Sequence, residues 1–196
     1  IEDERFYQHN GIDVKGILRA AYQFLITGGE ETQGASTITQ QLLKNTIFTD
    51  WTSEGDNVIK KVKRKIQEQY LALEITKQLS KDEVLLRYMN AINLGQNTLG
   101  VEAASLRYFG KSCSDLTLSE CAVIASITQN PSRYNPIRYP ENNAKRRQVC
   151  LDKMLELGFI TQAEYDEAVA DTDAVYERIG LYDTDYRESS TTSGSY

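Results

Sequence analysis

The 196-residue sequence predicts an all-α fold. Three observations carry that expectation. Apolar residues recur at the three- and four-residue spacing of a helix, Ser/Thr-x-x-Glu/Gln capping boxes open four segments, and no stretch alternates as a hairpin requires. Val14, Ile17, Leu18, Ala21 and Leu25 mark a first helix, which Gly28-Gly29 ends. Thr37, with Gln40 three residues on, caps a second. Residues 57–79 carry Val58, Ile59, Val62, Ile66, Tyr70 and Leu73, the pattern of a long amphipathic helix. Ser80–Glu83, Thr117–Glu120 and Thr161–Glu164 open three more. Gly95, Gly110 and Gly158 stand where helices stop, and Pro131, Pro136 and Pro140 confine an irregular stretch to 130–140. From Asp171 the periodicity fades into Asp, Thr, Ser and Gly. The folded domain is therefore expected over 1–170, with 171–196 a linker or disordered tail.

The formal net charge of -6 argues against a nucleic-acid binder. Against that background Lys60, Lys61, Lys63, Arg64 and Lys65 crowd together, either as a solvated helix face or as a site for an anion. Cys113, Cys121 and Cys150 have no metal-ligand spacing and form no disulfide framework, so they are expected as small, buried or half-buried apolar residues. No apolar run is long enough to span a bilayer and no signal peptide is present in the sequence. The sequence opens at Ile1-Glu2-Asp3 without a start methionine, which suggests an excised domain whose upstream segment is missing.

The densest signal is Gly34-Ala35-Ser36-Thr37-Ile38-Thr39-Gln40-Gln41-Leu42-Leu43-Lys44-Asn45. So many hydroxyls and amides make poor core material, yet they lead into an apolar pair and a Lys. A donor-rich turn opening a helix suits a bound anion or sugar, or serves only as a well-capped helix start.

This segment resembles the second signature of the family 51 glycosyltransferases, the peptidoglycan transglycosylase domain of class A penicillin-binding proteins and monofunctional transglycosylases. The first signature, Glu-Asp-x-x-Phe-x-x-His-x-Gly, reads here as Glu2 to Gly11, with Phe6 and His9 in place. The third, Arg-Lys-x-x-Glu, reads as Arg64-Lys65-Ile66-Gln67-Glu68. Arg87-Tyr88-Met89-Asn90 and Gly100-Val101-Glu102-Ala103-Ala104 resemble the fourth, and Arg146-Arg147-Gln148-Val149-Cys150-Leu151 the fifth. The resemblance covers roughly residues 1–157. It implies a lysozyme-like fold with a small lobe that dips into the membrane, where Ile47, Phe48 and Trp51 would meet lipid. It also implies a membrane anchor upstream, a position on the extracytoplasmic face of the cell membrane, and, in a class A protein, a tail leading to a transpeptidase domain. Leu99 stands where the family commonly has an aromatic, Asn97 where it has Gly, and Cys150 where it has Val.

The implied reaction polymerises lipid II: a GlcNAc 4-hydroxyl attacks the anomeric carbon of a lipid-pyrophosphoryl sugar, inverting it to a β-1,4 glycan. Pyrophosphate leaves readily as an anion, so the site needs cations for it and one base for the acceptor hydroxyl. Glu2 lies beside Asp3 and Glu4, whose charges disfavour its ionisation and make it the better proton acceptor. Glu68 follows Arg64 by four residues and Lys65 by three, so helical cations keep it charged, to orient the donor or assist near the leaving group. Lys44, Arg64 and Lys65 are the candidates for the pyrophosphate. Ser36, Thr37, Gln40 and Gln41 are candidates for sugar or phosphate oxygens, with Asn45 holding the turn. Asp3, Phe6, His9, Tyr88 and Asn90 are expected to support the site. A divalent cation, Mg or Mn, could bridge carboxylates and pyrophosphate, although no ligand spacing demands one. Two other readings compete: a lysozyme-like hydrolase, which needs an acid carboxylate in an apolar pocket, and a catalytically inert wall-binding module.

Overall fold

Nine α-helices and two short 3-10 turns form among residues 2–28, 34–48 and 58–180, the residues that the computed structural model describes. No strand occurs among them; one isolated antiparallel bridge pairs Asn93 with Leu99. The all-α expectation is met. The chain divides into two compact units, Ile1–Ala91 and Ile92–Tyr196.

In the first unit, α1 (Val14–Ile26), α2 (Ile38–Thr46), α3 (Val58–Gln78) and α4 (Lys81–Ala91) follow a 3-10 turn at Phe6–Gln8. Helix α2 has nine residues, too few to persist alone. Two things hold it. The Thr37 capping box is closed in both directions: Thr37 Oγ1 accepts the Gln40 N–H at 3.2 Å and Gln40 Oε1 accepts the Thr37 N–H at 2.9 Å. Leu42 and Leu43 are buried as α2 packs on α3 and α4, which stabilises the unit by roughly 1.5–3 kcal/mol for each side chain. Phe6, Ala72, Val84 and Tyr88 complete this core.

Helix α3 turns its faces the unexpected way round. Val62, Ile66, Tyr70 and Leu73, the apolar stripe of the sequence pattern, are exposed, Tyr70 to 62%. The inward face instead carries half-buried Arg64 and Lys65 and buried Glu68 and Ala72. Helix α1 repeats this: Val14, Leu18, Tyr22 and Leu25 are exposed, and only Gly16 is buried. Its N-cap Asp13 accepts the Gly16 N–H and pairs with Arg5 at 2.6 Å.

The second unit contains α5 (Val101–Phe109), a 3-10 turn (Cys113–Asp115), α6 (Leu118–Ile127), α7 (Pro140–Glu156), α8 (Gln162–Ala170) and α9 (Thr172–Glu177). Most of α6 is buried, and Ala122 meets Leu151 of α7 and Ala168 of α8. Arg147 is 0% exposed and ties four helices together. Its guanidinium donates to Ser119 O and Oγ, to the Ala168 carbonyl and to Thr172 Oγ1. Such a buried cation is tolerable because its donors are matched by oxygens.

Three expectations need correction. The folded chain does not end at 170: Val175 of α9 is fully buried and Arg178 clamps Asp171 at 2.7 Å, so the packed structure runs to Gly180. The rest of the expected tail, 181–196, lies outside the described residues. Gly95 stops no helix, since α4 ends at Ala91; it turns the 92–100 loop at φ +99°. Cys113 and Cys121 are exposed, because they occupy the turn before α6 and its outer face; Cys150 alone is buried. Asn97, where the resemblance has Gly, sits at φ +60°, a conformation that Asn tolerates better than most residues.

Candidate active site

Three segments of the first unit converge: the loop 2–11, the turn 34–37 opening α2, and the inward face of α3. Asp3 holds the first to the second. Its carboxylate lies 3.0 Å from His9 Nε2 through each oxygen and accepts the Ile38 N–H at 3.0 Å, at the start of α2. His9 Nδ1 in turn accepts the Gly11 N–H at 3.2 Å. Asp3 and His9 thus shape the loop. Gly11 sits at φ +92°, and a β-carbon there would come within 2.3 Å of the Ala72 carbonyl oxygen on α3. Its own carbonyl accepts a 2.7 Å hydrogen bond from Thr37 Oγ1.

Glu2 is half-buried and lines a polar cavity of about 100 Å³ together with Ser36, Arg5, Arg19 and Asp13. Tyr88, buried on α4, donates its hydroxyl to Gln41 Oε1 at 3.1 Å. Burial, and then the Glu2 charge, push the Tyr88 phenol well above its ordinary value, so Tyr88 stays a neutral hydrogen-bond donor.

Ser36 connects this cavity to α3. Lys65 Nζ donates to Ser36 Oγ at 2.9 Å and to Glu68 Oε1 at 2.6 Å. Glu68 is 8% exposed. Glu68 thus accepts from the Lys65 ammonium, and Glu2 lines the polar cavity on the other side of Ser36.

Not every expected ligand faces this pocket. Thr37 and Gln40 are 2% and 1% exposed; Thr37 Oγ1 serves the capping box and Gly11, Gln40 Oε1 closes the capping box, and Gln40 Nε2 is buried without a hydrogen-bond partner. Ser36 and Gln41 are half-buried. Lys44 and Asn45 are exposed in the last turn of α2, and Arg64 is half-buried one turn before Glu68. Asn90 is exposed and its amide donates to Leu86 O of its own helix, so it supports α4 alone. Phe6 is buried, and the ammonium of Lys81 lies 4.4 Å over its ring. Ile47 is exposed and Phe48 half-buried, while Trp51 lies outside the described residues. Sequence reasoning missed Lys81 and the Arg5–Asp13 pair. A Lys inside a capping box reads as a solvated helix start, and two charges across an eight-residue loop leave no periodic signal.

Among the described residues no group of three or more His, Cys, Asp or Glu is arranged to hold a metal ion. None of the described helices is long and apolar enough to cross a membrane.

Residues 1–155 match the Transglycosylase family model. Penicillin-binding protein 1A of Clostridium botulinum is 47% identical over 182 residues, covering 89% of this chain and 21% of that protein. The protein of the same name from Escherichia coli is 45% identical over 166 residues, covering 85% of this chain and 18% of its own length. The chain thus spans about a fifth of these relatives. The crystal structure of Penicillin-Binding Protein 1A from Haemophilus influenzae aligns with a TM-score of 0.43 at 42% identity, over 46% of this chain and 13% of that one. With the family model matched from Glu2 through Glu68 and beyond, this chain belongs to the transglycosylase family.

Proposed function

We propose that the chain is the catalytic portion of a peptidoglycan glycosyltransferase that polymerises lipid II into β-1,4 glycan strands and releases polyprenyl pyrophosphate. The observation that carries this reading is the meeting of carboxylates and a cation around Ser36: Lys65 donates to both Ser36 and Glu68, and Ser36 lines a polar cavity with Glu2. In this reaction the acceptor 4-hydroxyl oxygen bonds to the anomeric carbon while the bond from that carbon to the phosphate oxygen breaks. The hydroxyl proton passes to Glu2. The electron pair leaves with the pyrophosphate, whose added charge faces Lys65, Arg64 and Lys44. Glu68 keeps Lys65 aimed by a charge-assisted hydrogen bond. Electrostatic stabilisation of this kind acts most strongly where charge develops.

A lysozyme-like hydrolase fits less well, because Glu68 accepts from an ammonium where a general acid needs an apolar pocket that keeps its proton. The chain covers about a fifth of its relatives, which leaves room for a transpeptidase domain and an anchor elsewhere in the whole protein. The exposed apolar stripes of α1 and α3 suit a membrane surface, and the lipid-linked substrate places the site on the extracytoplasmic face.

The test is lipid II polymerisation with products resolved by length. The parent chain should elongate glycan, and Glu2→Gln should lose about 10²-fold or more of the rate while staying folded. Shortening of preformed glycan would favour the hydrolase, and binding without turnover the inert module. Near-full activity in folded Glu2→Gln would remove Glu2 as the base.

A further inference from the structure

The side chain of Asp3 is 2% exposed. Its hydrogen-bond donors are the Ile38 N–H and His9 Nε2. The Ile38 N–H carries no formal charge. His9 Nδ1 accepts the Gly11 N–H, which leaves Nε2 to face Asp3. Arg5, the cation nearest in sequence, is engaged by Asp13 at 2.6 Å. A buried carboxylate without a countercharge is costly, so a cation is needed nearby.

Lys81 meets that need. It is the first residue of α4, and its Nζ is buried without a hydrogen-bond partner. It stands 4.4 Å over the ring of Phe6, in the 3-10 turn that follows Asp3. Burial draws its ammonium below the ordinary lysine value, and the charge of Asp3 acts in the opposite direction. A Lys at the first position of a helix sits at the wrong end of the macrodipole, so helix stability does not explain it. Attraction to the face of Phe6 and to the charge of Asp3 does.

We propose that Lys81 is a positioning residue of the active site: its buried ammonium balances Asp3 and, stacked on Phe6, holds the segment that bears Glu2 against the start of α2. The loop then has a polar clamp on one side, through Asp3 and Ile38, and a non-directional cationic clamp on the other. The link to turnover rests on the reading of Glu2 as base; the charge balance does not.

A thermal-unfolding cycle with Lys81→Met, Asp3→Asn and the double variant tests the charge balance without any assay of activity. Each single variant should lower Tm, and the double variant should lower it by less than the sum, because removing both charges leaves neither unpaired. Additive losses overturn the proposal. If Lys81→Met fails to fold, recovery of folding in the double variant supports it, and failure of both overturns it. In lipid II polymerisation, folded Lys81→Met should lose about 10- to 100-fold in kcat with KM little changed, and Lys81→Arg should restore most of the rate. Full kcat in Lys81→Met overturns the positioning role. If Glu2→Gln proves active, the base assignment falls, and the Tm cycle still decides whether Lys81 and Asp3 balance each other.

Discussion

Gly11 is the residue on which the active-site loop turns most sharply. Its φ of +92° is strained for any other residue, and the Ala72 carbonyl oxygen blocks the space a side chain would need. The blocking atom is backbone in the middle of α3, so it cannot swing aside. Gly11→Ala should therefore cost more than about 2 kcal/mol of unfolding free energy, the combined scale of backbone strain and overpacking. Denaturant unfolding measures this, and a loss under about 0.5 kcal/mol, the range of an ordinary surface change, would mean that the loop does not sit on α3 as described. Activity should fall further than stability, because the Gly11 carbonyl also holds Thr37 and the Gly11 N–H sets the orientation of His9.

Thr37 raises the same matter for a whole helix. Its hydroxyl both caps α2 and donates to Gly11, so Thr37→Ala should remove about 1–3 kcal/mol, a lost cap together with an unsatisfied buried carbonyl. Thr37→Ser, which keeps the hydroxyl, should recover most of that in the same urea titration; no recovery would place the loss in the missing methyl group. This cap was readable from sequence because it lies within three residues, as were those at Ser80, Thr117 and Thr161. The Lys65–Glu68 pair was legible for the same reason. What sequence could not reveal were the contacts that join distant segments, Lys65 to Ser36 and Asp3 to Ile38, and Lys81 over Phe6. Periodicity also left the facing of α1 and α3 undetermined. It shows that an apolar stripe exists and is silent on what covers it, and here the charged motif of α3 points inward while the stripe points out.

Across the whole molecule, acid should weaken the second unit through two of its carboxylates. Burial alone would raise the Glu120 carboxyl, but bonds from Lys111 and the Thr117 N–H and the charges of Lys111 and Arg178 outweigh it and hold it below its ordinary value. The Arg178 bond does the same for Asp171, against the opposing effect of burial. A carboxyl depressed in the folded state contributes stability above its unfolded value and loses it as pH falls through the folded one. Stability should thus decline below about pH 4.5, the reference value for Glu. Glu120→Gln should be less stable at neutral pH, where it leaves Lys111 unpaired, and should lose less on acidification. Urea midpoints at neutral pH and at about pH 3.5 make the comparison, and parallel losses in both proteins would remove Glu120 from the account. The outward stripe of α3 has a geometric consequence of its own. A helix with its side chains is about 10–12 Å across, so the Lys65–Glu68 pair lies roughly that far from whatever Tyr70 and Ile66 rest upon. The headgroup layer of one leaflet is about 5–8 Å deep. If the stripe settles at the acyl boundary, α3 works as a depth gauge that sets its cations just above the headgroup layer, within reach of an anionic group carried on a lipid. Quenching of a Tyr70→Trp indole by brominated lipids, measured over the parent background, reads that depth directly: bromines near the acyl carbonyls should quench best, and strongest quenching from the chain ends would mean that the gauge sits deeper than the chemistry allows.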